Sequence, residues 1–111
     1  MASTKDELLQ AVQDNYTDAL KNEPHDLAAA ETVDEVAAIQ ANVATARQAY
    51  FKSLGAELAA DNKAVQAAYE DVKLALKSQK ECREKATRIA DILDKLGNAT
   101  KAVQKLLALA A

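Results

Sequence analysis

The sequence predicts an all-α fold: an antiparallel helical hairpin or coiled coil completed by two shorter helices into a single domain resembling a four-helix bundle. Two observations predict it. From Leu58 to Leu107, apolar or small residues recur at alternating spacings of four and three. The seam reads Leu58, Val65, Ala68, Val72, Ala75, Cys82, Ala86, Ile89, Leu93, Leu96, Val103 and Leu107, with Asp61, Gln79 and Thr100 as its polar members. That is a heptad signature, which keeps one narrow stripe against a partner helix of similar length, and the periodic segment 33–54 is the candidate partner. In addition, alanine supplies about a quarter of the chain, against two glycines, one proline and four aromatics. This bias favours long, closely approaching helices and excludes sheet.

The first helix is expected over residues 4–22. Ser3 and Thr4, followed three residues later by Asp6 and Glu7, form overlapping capping-box signals. Leu9, Val12, Tyr16 and Leu20 give it an apolar stripe. Asn22, Glu23 and Pro24 are expected to end it, because proline disfavours helix at the residue before it and lacks an amide donor.

A second helix, over about 25–55, carries Leu27, Val33, Val36, Ile39, Val43, Ala46 and Tyr50 on one face. Thr32 and Glu35 form a capping box inside it, which a continuous helix leaves unused. The apolar phase slips by one between Tyr50 and Leu58, with Gly55 in the slip and Asp61 or Asn62 available as the next cap, so a turn is expected over residues 55–62.

The third helix, over about 62–96, has exposed charge pairs such as Lys77 with Glu81 and Glu84 with Arg88. Gly97 and Asn98 read as stop and start signals, leaving a fourth helix over 99–109. The alternative is three helices with no break at Gly97, since the seam stays in phase across it.

These lengths make the second and third helices roughly 45 to 50 Å long, the first about 27 Å and the fourth about 17 Å. A hairpin turning near residue 59 then sets Ile39 opposite Gln79. Both short helices cover one end, and residues 43–76 protrude as a two-helix arm carrying Tyr50, Phe51 and Tyr69.

Little in the sequence suggests chemistry. The one histidine, His25, reads as a turn residue beside Pro24, and the one cysteine, Cys82, as a small seam residue. Glu70, Asp71, Glu81 and Glu84 alternate with Lys and Arg and lack the Glu-x-x-His spacing of di-iron bundles, so they read as a solvated face and not as a metal site. Lys73, Lys77, Lys80, Arg83, Lys85 and Arg88 form the one basic concentration. Interleaved acids weaken its field, which argues against nucleic acid as a partner. No phosphate loop or catalytic signature is present, so neither enzymatic activity nor a cofactor is expected.

Residues 1–50 hold nine acids against three bases, and residues 51–111 eight against eleven, so the two halves attract each other within a net charge of -3. No signal peptide is recognised at the start, no run is long enough for a membrane span, and a cytoplasmic protein is expected.

The expected function is a non-enzymatic module for protein–protein interaction or self-assembly. It binds itself as a homo-oligomer, or a helical protein partner, through Tyr50, Phe51, Leu54 and Tyr69 on the 43–76 arm. The alternative is an amphipathic helical binder of lipid or granule surfaces, for which the chain offers no Trp and mostly alanine at the apolar edge.

Overall fold

The computed structural model describes residues 4–85 and 88–110, and within them the chain forms four helices: α1 (Lys5–Ala29), α2 (Val33–Leu54), α3 (Lys63–Glu84) and α4 (Ile89–Ala110). The all-α, four-helix-bundle-like class holds, but the helices are close to equal, with 25, 22, 22 and 22 residues. At 1.5 Å per residue each is about 33 to 38 Å long. All four therefore span most of the 43 Å long axis, and no two-helix arm protrudes.

α1 starts as expected, at a complete capping box in which the Thr4 side chain accepts from the Glu7 amide and Glu7 accepts from the Thr4 amide. It does not stop at Asn22. Helix continues through Pro24 to Ala29, so His25 lies inside α1 and not in a turn. Tertiary contacts outweigh the missing amide. Asp26 is fully buried and held by Arg83 of α3, and Leu27 packs on the core.

The break falls instead at residues 30–32. There Thr32 caps α2 by accepting from the Glu35 amide at 3.1 Å, and Glu35 accepts from the Glu31 amide at 2.8 Å. The Thr32 cap that a continuous helix leaves unused is the true helix start, although Glu35 takes the amide of Glu31 and not, as in a complete capping box, that of Thr32.

α2 ends at Leu54 and α3 begins after Asn62, whose side chain accepts from the Ala64 amide at 2.7 Å. Gly55 has φ -95° and ψ 0°, so it closes α2 without a left-handed conformation. The connection is fastened to the far end of the chain, where the Ala59 amide donates to the Ala110 carbonyl at 2.8 Å and Leu58 is buried in the core. This satisfies a carbonyl that a helix C-terminus leaves without an intrahelical donor.

The last two helices also depart from the expected lengths. α3 ends at Glu84, with the Lys85 amide donating to the carbonyls of Glu81 and Cys82, and α4 runs unbroken through Gly97 and Asn98. Glycine costs about 1 kcal/mol in a helix interior. Keeping the chain helical buries Leu96, Ala99, Thr100, Val103 and Leu106 on one face, and burying each large apolar side chain contributes about 1.5 to 3 kcal/mol. The expected break at 97–98 is thus absent, and the helix expected over 62–96 is instead two, one ending at Glu84 and the next beginning at Ile89, with residues 86 and 87 outside the described residues.

Moving both breaks changes the neighbours. Around the bundle the order is α1, α2, α4, α3: α1 packs on α2 and α3, α4 packs on α2 and α3, and α1 and α4 meet across the centre. No Cα pair of α2 and α3 lies within 8 Å, so these helices stand across the diagonal and are not the expected hairpin. Ile39 consequently joins Cys82, Ile89, Ile92 and Leu96 in one apolar cluster, while Gln79 turns to Asp18 of α1.

Among the described residues, the buried apolar side chains form two clusters. The larger lies at the end holding the α1 N-terminus and the 55–62 connection, and includes Leu8, Val12, Val65, Val72, Val103 and Leu106, all without solvent exposure. The smaller, around Ile39 and Leu96, lies at the opposite end. Polar side chains separate them. Asn15 Nδ2 donates to Thr100 Oγ1 at 3.3 Å, and Thr100 Oγ1 donates to Asn42 Oδ1 at 2.7 Å, which ties α1, α4 and α2 at one level. Such a layer is satisfied only when the helices stand in this register, so it selects the register as well as the neighbours.

Candidate partner-binding surfaces

The same α1–α2 pairing that buries Leu8 and Val12 brings Tyr16 of α1 against the end of α2. Its ring stacks on Tyr50 with centroids 5.7 Å apart, and both lie near Phe51, at 6.1 Å from Tyr16 and 5.6 Å from Tyr50. Tyr16 and Tyr50 are half-buried, whereas Phe51 is 56% exposed and Leu54, three residues on, 57% exposed. Leu20, one turn beyond Tyr16, is 43% exposed. Single exposed apolar residues are normal on a protein surface, but a contiguous aromatic group is the kind of patch that marks contact sites.

Three of the four residues expected to bind a partner, Tyr50, Phe51 and Leu54, therefore share this edge. Tyr69 does not. It is 7% exposed within the larger cluster, packed among Val65, Val72 and their neighbours, with the Lys73 ammonium 5.1 Å from its ring centre. Tyr16 takes its place in the aromatic group. Its role was legible only through the Thr32 capping box: a turn at residues 30–32 pairs the end of α2 with the first half of α1.

A second surface runs along the α2–α4 seam. Two adjoining stretches of one open groove, of about 320 and 350 Å³, share Thr45 and Gln104. Leu107, Leu58 and Ala49 line one end, Leu93, Gly97, Ala38 and Ala41 the other, and Asn42 with Thr100 of the polar layer lie between them. The stretch beside Gly97 is open because Ala38, Ala41 and Thr45 line α2 there and Gly97 has no side chain, a Cβ at that position meeting nothing within 4 Å.

On the opposite flank, α1 and α3 are joined by charge. Arg83 makes a two-pronged pair with Asp26, at 2.7 and 2.9 Å, and its Nε lies 3.7 Å from Asp18 Oδ2. Hydrogen bonding to Asp26 holds the guanidinium pKa above its ordinary value, against the opposing effect of burial and with help from the charges of Asp26 and Asp18. Arg83 therefore belongs to a structural pair, not to a basic surface. Gln79 donates to Asp18 as well, while its buried Oε1 accepts no hydrogen bond.

Among the described residues, no group of three His, Cys, Asp or Glu side chains is arranged to hold a metal ion, and no helix is long and apolar enough to cross a membrane. Set against family models, curated proteins and solved structures, the chain matches none of them.

Proposed function

We propose that this chain is a non-enzymatic helical interaction module that self-associates through the aromatic edge between α1 and α2. The observation that carries the reading is the exposure of Phe51 and Leu54 beside the stacked Tyr16 and Tyr50, on a bundle whose other aromatic, Tyr69, is buried. Aromatic side chains are the residues that most often anchor interfaces, because they bury a large area at a small cost in side-chain entropy. A second copy is the simplest cover. A two-fold axis through the patch sets Phe51 and Leu54 against the same residues of the mate, so one surface supplies both halves of the contact.

The patch is small, and the association is accordingly weak, with a dissociation constant of about 10 to 100 μM. Light scattering across a concentration series tests this. The unmodified protein should gain mass towards a dimer as concentration rises through that range, and the Phe51→Ser, Leu54→Ser double variant should stay monomeric with an unchanged helical spectrum. A monomer for the unmodified protein up to about 1 mM refutes the reading. The competing reading, a lipid or granule surface, requires exposed apolar residues gathered on one face. Val33, Leu74 and Leu109 instead lie on three different helices, α2, α3 and α4. Co-sedimentation with liposomes that depends on Phe51 would favour lipid nonetheless.

A further inference from the structure

The α2–α4 groove has a composition that specifies an occupant. We infer that it receives an acidic amphipathic helix from a protein partner, independently of self-association at the aromatic edge. The groove is an open trough, and its length suits a helix: Leu93 to Leu107 is fifteen residues of α4, a rise of about 21 Å or four turns. Small residues on its walls let a helix backbone approach closely, as Ala41, Thr45 and Gly97 do here. Leu93 with Ala38 at one end and Leu58 with Leu107 at the other, the latter beside Gln48 and Ser53, offer apolar contacts on either side of Asn42 and Thr100, and call for an incoming stripe with apolar side chains towards its ends and a polar one at its centre.

Charge selects the sign. Among all the side chains lining the two stretches, the charged ones are Lys52 on the α2 wall and Lys101 on the α4 wall, and none is acidic. Residues 38–45 of α2 line the groove with 93–104 of α4, and residues 45–53 with 104–108, so the two helices run parallel. From the Thr100–Asn42 contact, Lys101 lies one residue past that level and Lys52 ten residues past it. The two lysines are thus offset along the helix axes by about nine residues, or about 13 Å, on opposite walls. Nine residues of α-helix also make two and a half turns, so a helix with acids nine apart presents them on opposite flanks. Both lysines are matched at once by that spacing, and each is set near a carboxylate at the rim, where such pairs steer and orient more than they tighten.

The test uses a fluorescein-labelled, alanine- and glutamine-based 24-residue peptide with leucine at positions 4, 8, 15 and 18, asparagine at 11, and glutamate at 12 and 21. Its reversed sequence presents the same stripe in the other direction. Fluorescence anisotropy should show saturable binding of one of the two, with a dissociation constant of about 10 to 100 μM. Lysine in place of both glutamates should weaken binding at least tenfold, and the Lys52→Glu, Lys101→Glu double variant should prefer that lysine peptide. Gly97→Leu fills the groove at a site where nothing lies within 4 Å, so it should abolish binding while keeping or raising the melting temperature. Three results would overturn the inference: no saturable binding of either peptide up to about 1 mM, equal binding of acidic and basic peptides, or undiminished binding to Gly97→Leu. A concentration-dependent dimer that Gly97→Leu abolishes and Phe51→Ser leaves intact would assign the groove to a second copy, and would overturn it too.

Discussion

Replacing Asp26 by Asn is the most informative single perturbation of this fold, because it removes one charge from a pair that is out of water. Asp26 has no solvent exposure, and the Arg83 side chain is 14% exposed. Breaking a fully buried pair by removing one partner costs about 3 to 5 kcal/mol, since the remaining charge loses its compensation. Here Asp18, with its Oδ2 3.7 Å from Arg83 Nε and its side chain 37% exposed, offers partial compensation. We therefore expect Asp26→Asn to lose about 2 to 3 kcal/mol. A chain of this size is stable by about 5 to 15 kcal/mol, so the melting temperature should fall by about 8 to 15 °C.

Urea unfolding followed by circular dichroism measures the loss. The Asp26→Leu, Arg83→Met double variant should return to within about 1 kcal/mol of the unmodified protein, because apolar replacement of a buried pair is close to neutral. The pKa of Arg83 is raised on folding, so its contribution is present at every pH below the ordinary arginine range and is lost only above it. The difference between Asp26→Asn and the unmodified protein should accordingly stay constant from about pH 7 to 10. A loss under about 0.5 kcal/mol, or strictly additive effects of the two single changes, would refute the pairing argument.

Three further changes probe the rest of the frame. Gly97→Ala should add about 0.5 to 1 kcal/mol, since α4 is continuous there and the new methyl meets nothing within 4 Å; a loss of stability in the same urea titration would mean that the helix is broken at Gly97 after all. Thr100→Val removes the hydroxyl that joins Asn15 to Asn42 and leaves Asn15 buried without it, at a cost of about 1 to 3 kcal/mol; an unchanged midpoint would show that the layer contributes nothing. Gln79→Leu removes a buried carbonyl oxygen that accepts no hydrogen bond, while half-exposed Asp18 can turn to water. It should stabilise by about 1 kcal/mol, and a destabilised variant would make the Gln79–Asp18 contact the stronger effect.

The fold class was legible in the seam, and so were two of its polar members. Gln79 and Thr100 stand out as the wrong residue type at seam positions, and both are buried with polar partners. Two of the three expected breaks were misplaced for one shared reason. Pro24 and Gly97 are local signals, worth about 1 to 3 kcal/mol, and long-range burial of Asp26, Leu27, Leu96 and Val103 outweighs them. The end of α3 at Glu84 was illegible because Lys85 and Arg88 carry no turn chemistry and the seam runs past it in phase. The surface followed from these errors. With the first break at residues 30–32 instead of Pro24, Tyr16 reaches Tyr50, and with α3 shortened, Tyr69 lies inside the bundle and not on an arm. The groove had no signal of its own in the sequence, since it depends on which helices are neighbours.

The polar layer of Asn15, Thr100 and Asn42 makes the interior two hydrophobic compartments of unequal size. Opening the smaller one exposes Ile39, Ile89, Ile92 and Leu96, and leaves the larger, with Leu8, Val65 and Leu106, closed. Because the smaller compartment buries fewer large apolar side chains, it is expected to open locally at a lower free energy than the larger. Cys82 is the one thiol in the chain, and it lies in the smaller compartment. It is placed as a stopwatch for that half, because the rate at which an alkylating reagent consumes it meters local opening while the rest of the molecule stays folded.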